Sequence, residues 1–157
     1  MISPKGFRGL RVTIIGAGRE GIALARYLVR CGAQVTLSDT KPADALKDRL
    51  SLLEGLDVNL CLGGNPPHLL EADVLFVSAG VPPSAAIIRQ ARQRGVPISS
   101  EPRLFTQVCP APIVAITGSN GKTTTTALAG RMYAASGKNT WVGGNIGLPL
   151  TARLLEA

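Results

Sequence analysis

Two glycine-rich stretches carry residue types at spacings that handle phosphate. Gly16-Ala-Gly-Arg-Glu-Gly21 has the G-x-G-x-x-G spacing. Its glycines permit a tight turn and let backbone N–H groups approach a pyrophosphate at the start of a helix. Asp39 follows about twenty residues on, where folds with such a turn contact a ribose hydroxyl. Gly16, Gly18, Arg19, Glu20 and Asp39 are therefore candidate contacts for a dinucleotide or a nucleotide diphosphate, and the spacing does not separate NAD from another nucleotide. The same glycines can also serve close helix–strand packing alone. Arg19 and Glu20 are equally explained as exposed charges at a helix start, where Glu20 suits the positive helix end.

The second stretch is Gly118-Ser119-Asn120-Gly121-Lys122-Thr123-Thr124. Between a strand and a helix, the backbone N–H groups of such a loop surround the terminal phosphates of a nucleotide, Lys122 reaches them as the catalytic cation, and the Thr123 hydroxyl ligates Mg²⁺. ATP and Mg²⁺ are the implied cofactors. The general G-x-x-x-x-G-K-[ST] pattern asks for glycine at position 116, where this chain has Ile116.

Elements that would position both loops follow from hydrophobic period. Arg11–Ile15 is dense in β-branched residues and stops at Gly16; from Glu20 to Arg30, Ile22, Ala25, Leu28 and Val29 share one helical face, and Gly32 ends the helix. Strands are expected at 34–38, near 58–60, at 73–77 and, as a short edge, at 96–98, with helical stretches at 44–53 and 85–94 between them. Alternating strands and helices imply a parallel sheet covered on both faces, with ligands at the carboxyl ends of its strands. Ser78-Ala-Gly-Val-Pro82 either faces that crevice or is a plain turn. The prolines of Cys109-Pro-Ala-Pro112 favour extended chain and mark a boundary. The predicted organisation is an α/β Rossmann-like domain over 1–108, then over 109–157 the start of a P-loop ATP-binding α/β domain. The latter has a strand at 113–116, a helix from about Lys122 to Ser136, a strand at 140–142 and a helix from near Leu148. It reads as incomplete.

Composition narrows the partners. A formal charge of +7 suits anionic ligands, but the basic residues are scattered and aromatics make up only 4%, so stacking surfaces for single strands are not evident and nucleic acid is not expected. The apolar runs are strand-length, far below the ~20 residues of a membrane span. No leader segment is evident, and a cytoplasmic location is expected. Cys31, Cys61 and Cys109 fit neither a disulfide framework nor a metal knuckle and are expected as reduced, mostly buried thiols. His68 is expected on a surface turn and Trp141 in the core. No obligate protein partner is inferred.

Ala115-Ile-Thr-Gly-Ser-Asn-Gly-Lys-Thr-Thr124 resembles the ATP loop of the Mur ligases and the related folylpolyglutamate synthases, which depart from the general loop pattern in the same way. Gly143-Gly-Asn-Ile-Gly-Leu-Pro149 resembles the segment that follows it in the D-glutamate-adding members. With Val12-Thr-Ile-Ile-Gly-Ala-Gly18, Ser38-Asp-Thr40 and Ser78–Pro82 in the same order, the resemblance spans essentially the whole chain. It implies an ATP-dependent amide ligase that adds D-glutamate to UDP-N-acetylmuramoyl-L-alanine. Gly18, Arg19 and Glu20 would lie along the UDP, Asp39 and Thr40 near the uracil, Gly80 would close the site, and Asn145 would reach the diphosphate. Gly121, Lys122, Thr123 and Thr124 would hold ATP and Mg²⁺. In two places the chain departs from the family: Ala79 stands where proline is common, and Arg19-Glu20 replaces an apolar-plus-hydroxyl pair. The acceptor-binding domain would follow residue 157. A nicotinamide oxidoreductase domain would explain residues 1–100 but leaves Lys122 without a role, and a non-catalytic nucleotide-binding module fits the chain length.

Overall fold

The computed structural model of the chain describes residues 4–144 and 148–154. Five strands, β1 (Arg11–Ile15), β2 (Gln34–Asp39), β3 (Val58–Leu62), β4 (Val74–Val77) and β5 (Ile98–Ser99), form one sheet in the order β3-β2-β1-β4-β5. Every pairing is parallel, with Ile15 opposite Ser38 on one side and Val77 on the other. The central strand β1 is buried from Val12 through Ile15 without alternation, as expected of a strand covered on both faces. The edge strand β5 begins only after Pro97, which has no N–H to donate.

One face of the sheet is covered by α1 (Arg19–Arg30), whose Leu24, Ala25 and Leu28 pack on Val12, Ile14, Val35 and Leu37. Complete burial of a side chain such as Leu28 contributes about 1.5–3 kcal/mol. Gly32, at φ +81°, ends the helix as expected, a left-handed position that glycine takes without a Cβ clash. The predicted helix over 44–53 is broken instead: 3-10 turns at Ala43–Leu46 and Ser51–Leu53 flank a single α turn, α2 (Lys47–Leu50). The opposite face is closed by α3 (Ala86–Gln93), with Ile87, Ile88 and Ala91 against Ile15 and Leu75, and by the 3-10 turn Pro67–Leu70. Its His68 is exposed, as expected. Residues 101–108 form a helix not anticipated above, α4 (Glu101–Val108), which buries Leu104 and Phe105.

After Val108 the character changes. Cys109–Gly121 has no regular structure, so the strand expected at 113–116 does not form, and neither does the one at 140–142. The physical reason is pairing: a strand's N–H and C=O groups need a neighbour, and neither segment adjoins the five-stranded sheet. Ile113 and Val114 are exposed. α5 (Lys122–Ala135) forms where expected but buries no residue, leaving Leu128 and Met132 in solvent. Trp141 is likewise exposed rather than core, with the Arg153 guanidinium 6.0 Å from its ring centroid. The final helix, α6 (Leu150–Leu154), returns to the first unit and packs on α1 and α4. The cysteines are free and partly buried rather than deeply so. Among the described residues, no helix is long and apolar enough to cross a membrane.

Candidate functional site

β1 neighbours both β2 and β4, and the chain leaves β1 through α1 on one face of the sheet but leaves β4 through α3 on the other. Parallel sheets form their ligand crevice at such a switch point. A cleft of about 540 Å³ opens there, at the carboxyl ends of β1, β2 and β4. Gly16, Gly18, Arg19, Glu20, Asp39, Thr40 and Gly80 all line it. Asn145 lies outside the described residues; its neighbours Gly144 and Pro149 form part of the wall.

The glycines of the turn have separate tasks. A Cβ on Gly21 would sit 1.9 Å from the Gly16 carbonyl oxygen, so this residue is what lets α1 start against the end of β1. Gly16, at φ +103°, faces Ser78, whose hydroxyl donates to the Gly16 carbonyl at 3.2 Å. Gly18 has open space around it and precedes the first turn of α1, where helix N–H groups without intrahelical partners give an anion its donors. Ser78–Pro82 therefore faces the crevice.

Asp39 is committed first to the fold. Its carboxylate accepts the Ala17 N–H at 2.7 Å through one oxygen and the Lys41 N–H at 2.9 Å through the other. This ties the glycine turn to the end of β2. A carboxylate offers about four acceptor sites, so capacity for a ribose or base donor remains. Glu20 reaches across the cleft floor, where Oε2 accepts the Ala79 N–H at 3.4 Å. The Ser38 hydroxyl, fully buried, donates to Asn65 Oδ1 at 2.8 Å, fixing the β3 exit loop beside the β2 exit.

Several lining residues escaped the sequence reading. Lys41 directly follows the Asp39-Thr40 pair, a signal that was available. Asn65 sits in the Gly-Gly-Asn-Pro-Pro turn, and Arg49 projects from α2, brought to the cleft by tertiary structure alone. With Arg19, Lys41 and Arg49 against Glu20 and Asp39, cations outnumber carboxylates along the wall. Such a lining favours an anion.

Glu101 was also missed. Its start signal, Ser100-Glu101-Pro102, has a capping residue followed by a carboxylate and a proline in the first turn. Glu101 is 4% exposed, and its Oε1 accepts both the N–H (2.6 Å) and the hydroxyl (3.0 Å) of Thr151. Burial pushes its pKa above the ordinary carboxylate value, the donors of Thr151 and Leu150 oppose that, and the nearby Glu20 charge adds to the rise.

The second loop lies outside the five-stranded sheet. Gly121 adopts φ +76° at the N-cap of α5, and nothing lies within 4 Å of the Cβ position there. The Lys122 ammonium is turned into the loop, donating to the Gly118 carbonyl and, at 3.3 Å, to that of Ser119. A cation held at the mouth of a glycine loop ahead of a helix start fits an anionic terminal phosphate. Among the described residues, no group of three or more His, Cys, Asp or Glu side chains is arranged to hold a metal.

Sheet order, glycine turn and cleft together define a Rossmann-type nucleotide-binding unit. Residues 10–100 match the Mur ligase MurD-like N-terminal domain family, and the chain belongs to that family. It is 44% identical over 144 residues to the UDP-N-acetylmuramoylalanine–D-glutamate ligase of Trichlorobacter lovleyi, covering 91% of this chain and 32% of the relative. It is also 44% identical over 151 residues to the enzyme of the same name from Pelotomaculum thermopropionicum, covering 96% of this chain and 33% of that one. The chain thus spans about a third of the length of these relatives. Among solved structures, a pseudomurein peptide ligase type C from Methanothermus fervidus superposes with a TM-score of 0.54 at 26% identity, covering 93% of this chain and 31% of that one.

Proposed function

We propose that this chain supplies the UDP-binding end of an ATP-dependent ligase that joins D-glutamate to UDP-N-acetylmuramoyl-L-alanine in cytoplasmic peptidoglycan precursor synthesis. The observation that carries the reading is the gathering of Gly16, Gly18, Arg19, Glu20, Asp39, Thr40 and Gly80 around one cation-rich cleft, in a chain whose ligase relatives are 44% identical to it. In that cleft the start of α1 and Arg19 meet the diphosphate, Asp39 and Thr40 meet the uracil end, Gly80 closes the site, and Asn145 approaches from the segment bearing Gly144.

Residues 1–108 form the substrate-binding domain and 109–157 the opening of the ATP-binding one. There Gly118, Ser119, Asn120, Gly121, Lys122 and Thr124 hold the phosphates of ATP, and Thr123 ligates Mg²⁺. ATP supplies the phosphoryl group that turns the substrate carboxylate into an acyl phosphate, which the amine of D-glutamate attacks, releasing phosphate. Lys122 balances phosphate charge through a charge-assisted hydrogen bond. This chain alone is not expected to make the amide, since it spans about a third of the length of the ligases it resembles.

Calorimetric titration with UDP-N-acetylmuramoyl-L-alanine, UDP and NADH tests the reading. Binding of the UDP compounds without NADH supports it; binding of NADH alone overturns it in favour of a nicotinamide-nucleotide domain. In the full-length enzyme, Lys122→Ala should abolish ATP-dependent turnover, and unchanged turnover would remove Lys122 from its role.

A further inference from the structure

Thr151 is completely buried although it belongs to a five-residue helix near the end of the described chain. It is held by Glu101, whose single carboxylate oxygen takes both the backbone and the side-chain donor of Thr151. The first turn of α6 is thus capped by a side chain from another helix, about fifty residues back in sequence. Immediately before that turn comes Pro149, which together with Gly144 lines the cleft.

We infer that Glu101 is a positioning residue for nucleotide binding: by gripping Thr151 it holds the first turn of α6, and with it Pro149, against the cleft, so that this part of the wall is in place before ligand arrives. The inference rests on the reading of the cleft as the UDP end of the site. A carboxylate is isolated from solvent at a cost unless its oxygens find donors. Here the donors come from the element that must be held, so grip and burial satisfy each other. Without the grip, α6 retains Leu154 against the main core but loses the contact that fixes its first turn, and the ligand must order the wall itself. That ordering is subtracted from affinity.

The test is calorimetric titration of UDP into the whole chain and its variants, well below each one's unfolding midpoint, alongside amide exchange at residues 150–154. Glu101→Ala should weaken UDP binding by about tenfold, the equivalent of one lost charge-assisted hydrogen bond. Glu101→Gln keeps an acceptor oxygen in place and should bind close to wild type. UDP should slow amide exchange at residues 150–154 more in Glu101→Ala, where the ligand must order the turn, than in wild type, where it is already held. If Glu101→Ala does not fold, Thr151→Val, which deletes only the hydroxyl, should give a smaller loss in the same direction. Wild-type affinity in Glu101→Ala or, where that variant is unfolded, in Thr151→Val overturns the inference, as does a Glu101→Gln protein as damaged as Glu101→Ala. Failure of the wild-type chain to bind UDP instead removes the cleft reading on which it depends.

Discussion

The two glycine loops of this chain occupy opposite circumstances. The glycine turn at 16–21 is set between a five-stranded sheet and a buried helix, with Gly16 and Gly21 closely packed while Gly18 faces open space. The loop at 118–124 has the sharper motif but, among the described residues, no sheet behind it, and its helix buries no residue. A motif specifies local backbone; rigidity comes from what surrounds it. For the first loop the surroundings lie within residues 10–108, and for the second they do not.

The largest test of that contrast is a matched pair of truncations. Leu28→Ala removes a fully buried side chain and should cost about 3 kcal/mol in urea unfolding, whereas Leu128→Ala, at a residue 58% exposed, should stay within about 0.5 kcal/mol. Equal effects would mean that α5 has a packed partner in solution. A second pair separates two glycines of one turn. Gly21→Ala drives a methyl into the Gly16 carbonyl and should destabilise by about 2 kcal/mol and distort the cleft. Gly18→Ala meets open space and should remain within about 1 kcal/mol of wild type. Comparable thermal midpoints for the two variants would contradict the close approach.

The smallest effect concerns Asp73 at the amino end of the sheet, whose carboxylate accepts the Arg11 N–H at 2.8 Å and meets its guanidinium at 3.4 Å. The backbone bond first, then the side-chain bond, holds its pKa below the ordinary carboxylate value. Unfolded chains bind the extra proton in that window, so this contribution is complete above the unfolded pKa and is lost as pH falls through the folded one. Arg11→Ala leaves the backbone donor in place, and a carboxyl titration followed by NMR should show most of the shift retained. A return to the ordinary value would assign it to the guanidinium.

Much of the first unit was legible because its signals are local. β-branched runs ending in glycine and the three-glycine spacing placed β1, α1 and the cleft residues from Gly16 to Thr40, and Gly32 stopped the helix where expected. Arg49 and Asn65 carry no such signal, since only tertiary structure brings α2 and the loop after β3 to one crevice. α4 was missed although Ser100-Glu101-Pro102 announces a helix start. Across 113–116 the error ran the other way. Ile113-Val-Ala-Ile116 has strand composition, but strand propensity expresses a fit to a pleated, half-buried surface, and no such surface adjoins it.

One consequence of the α6 contact concerns freedom of movement. The excursion from 109 to 149 leaves the first unit at the carboxyl end of α4 and is fastened again at its amino end through Glu101 and Thr151. Fastening the chain at both ends of an eight-residue helix, about 12 Å long at 1.5 Å per residue, closes the stretch between into a loop and restricts the conformations open to it.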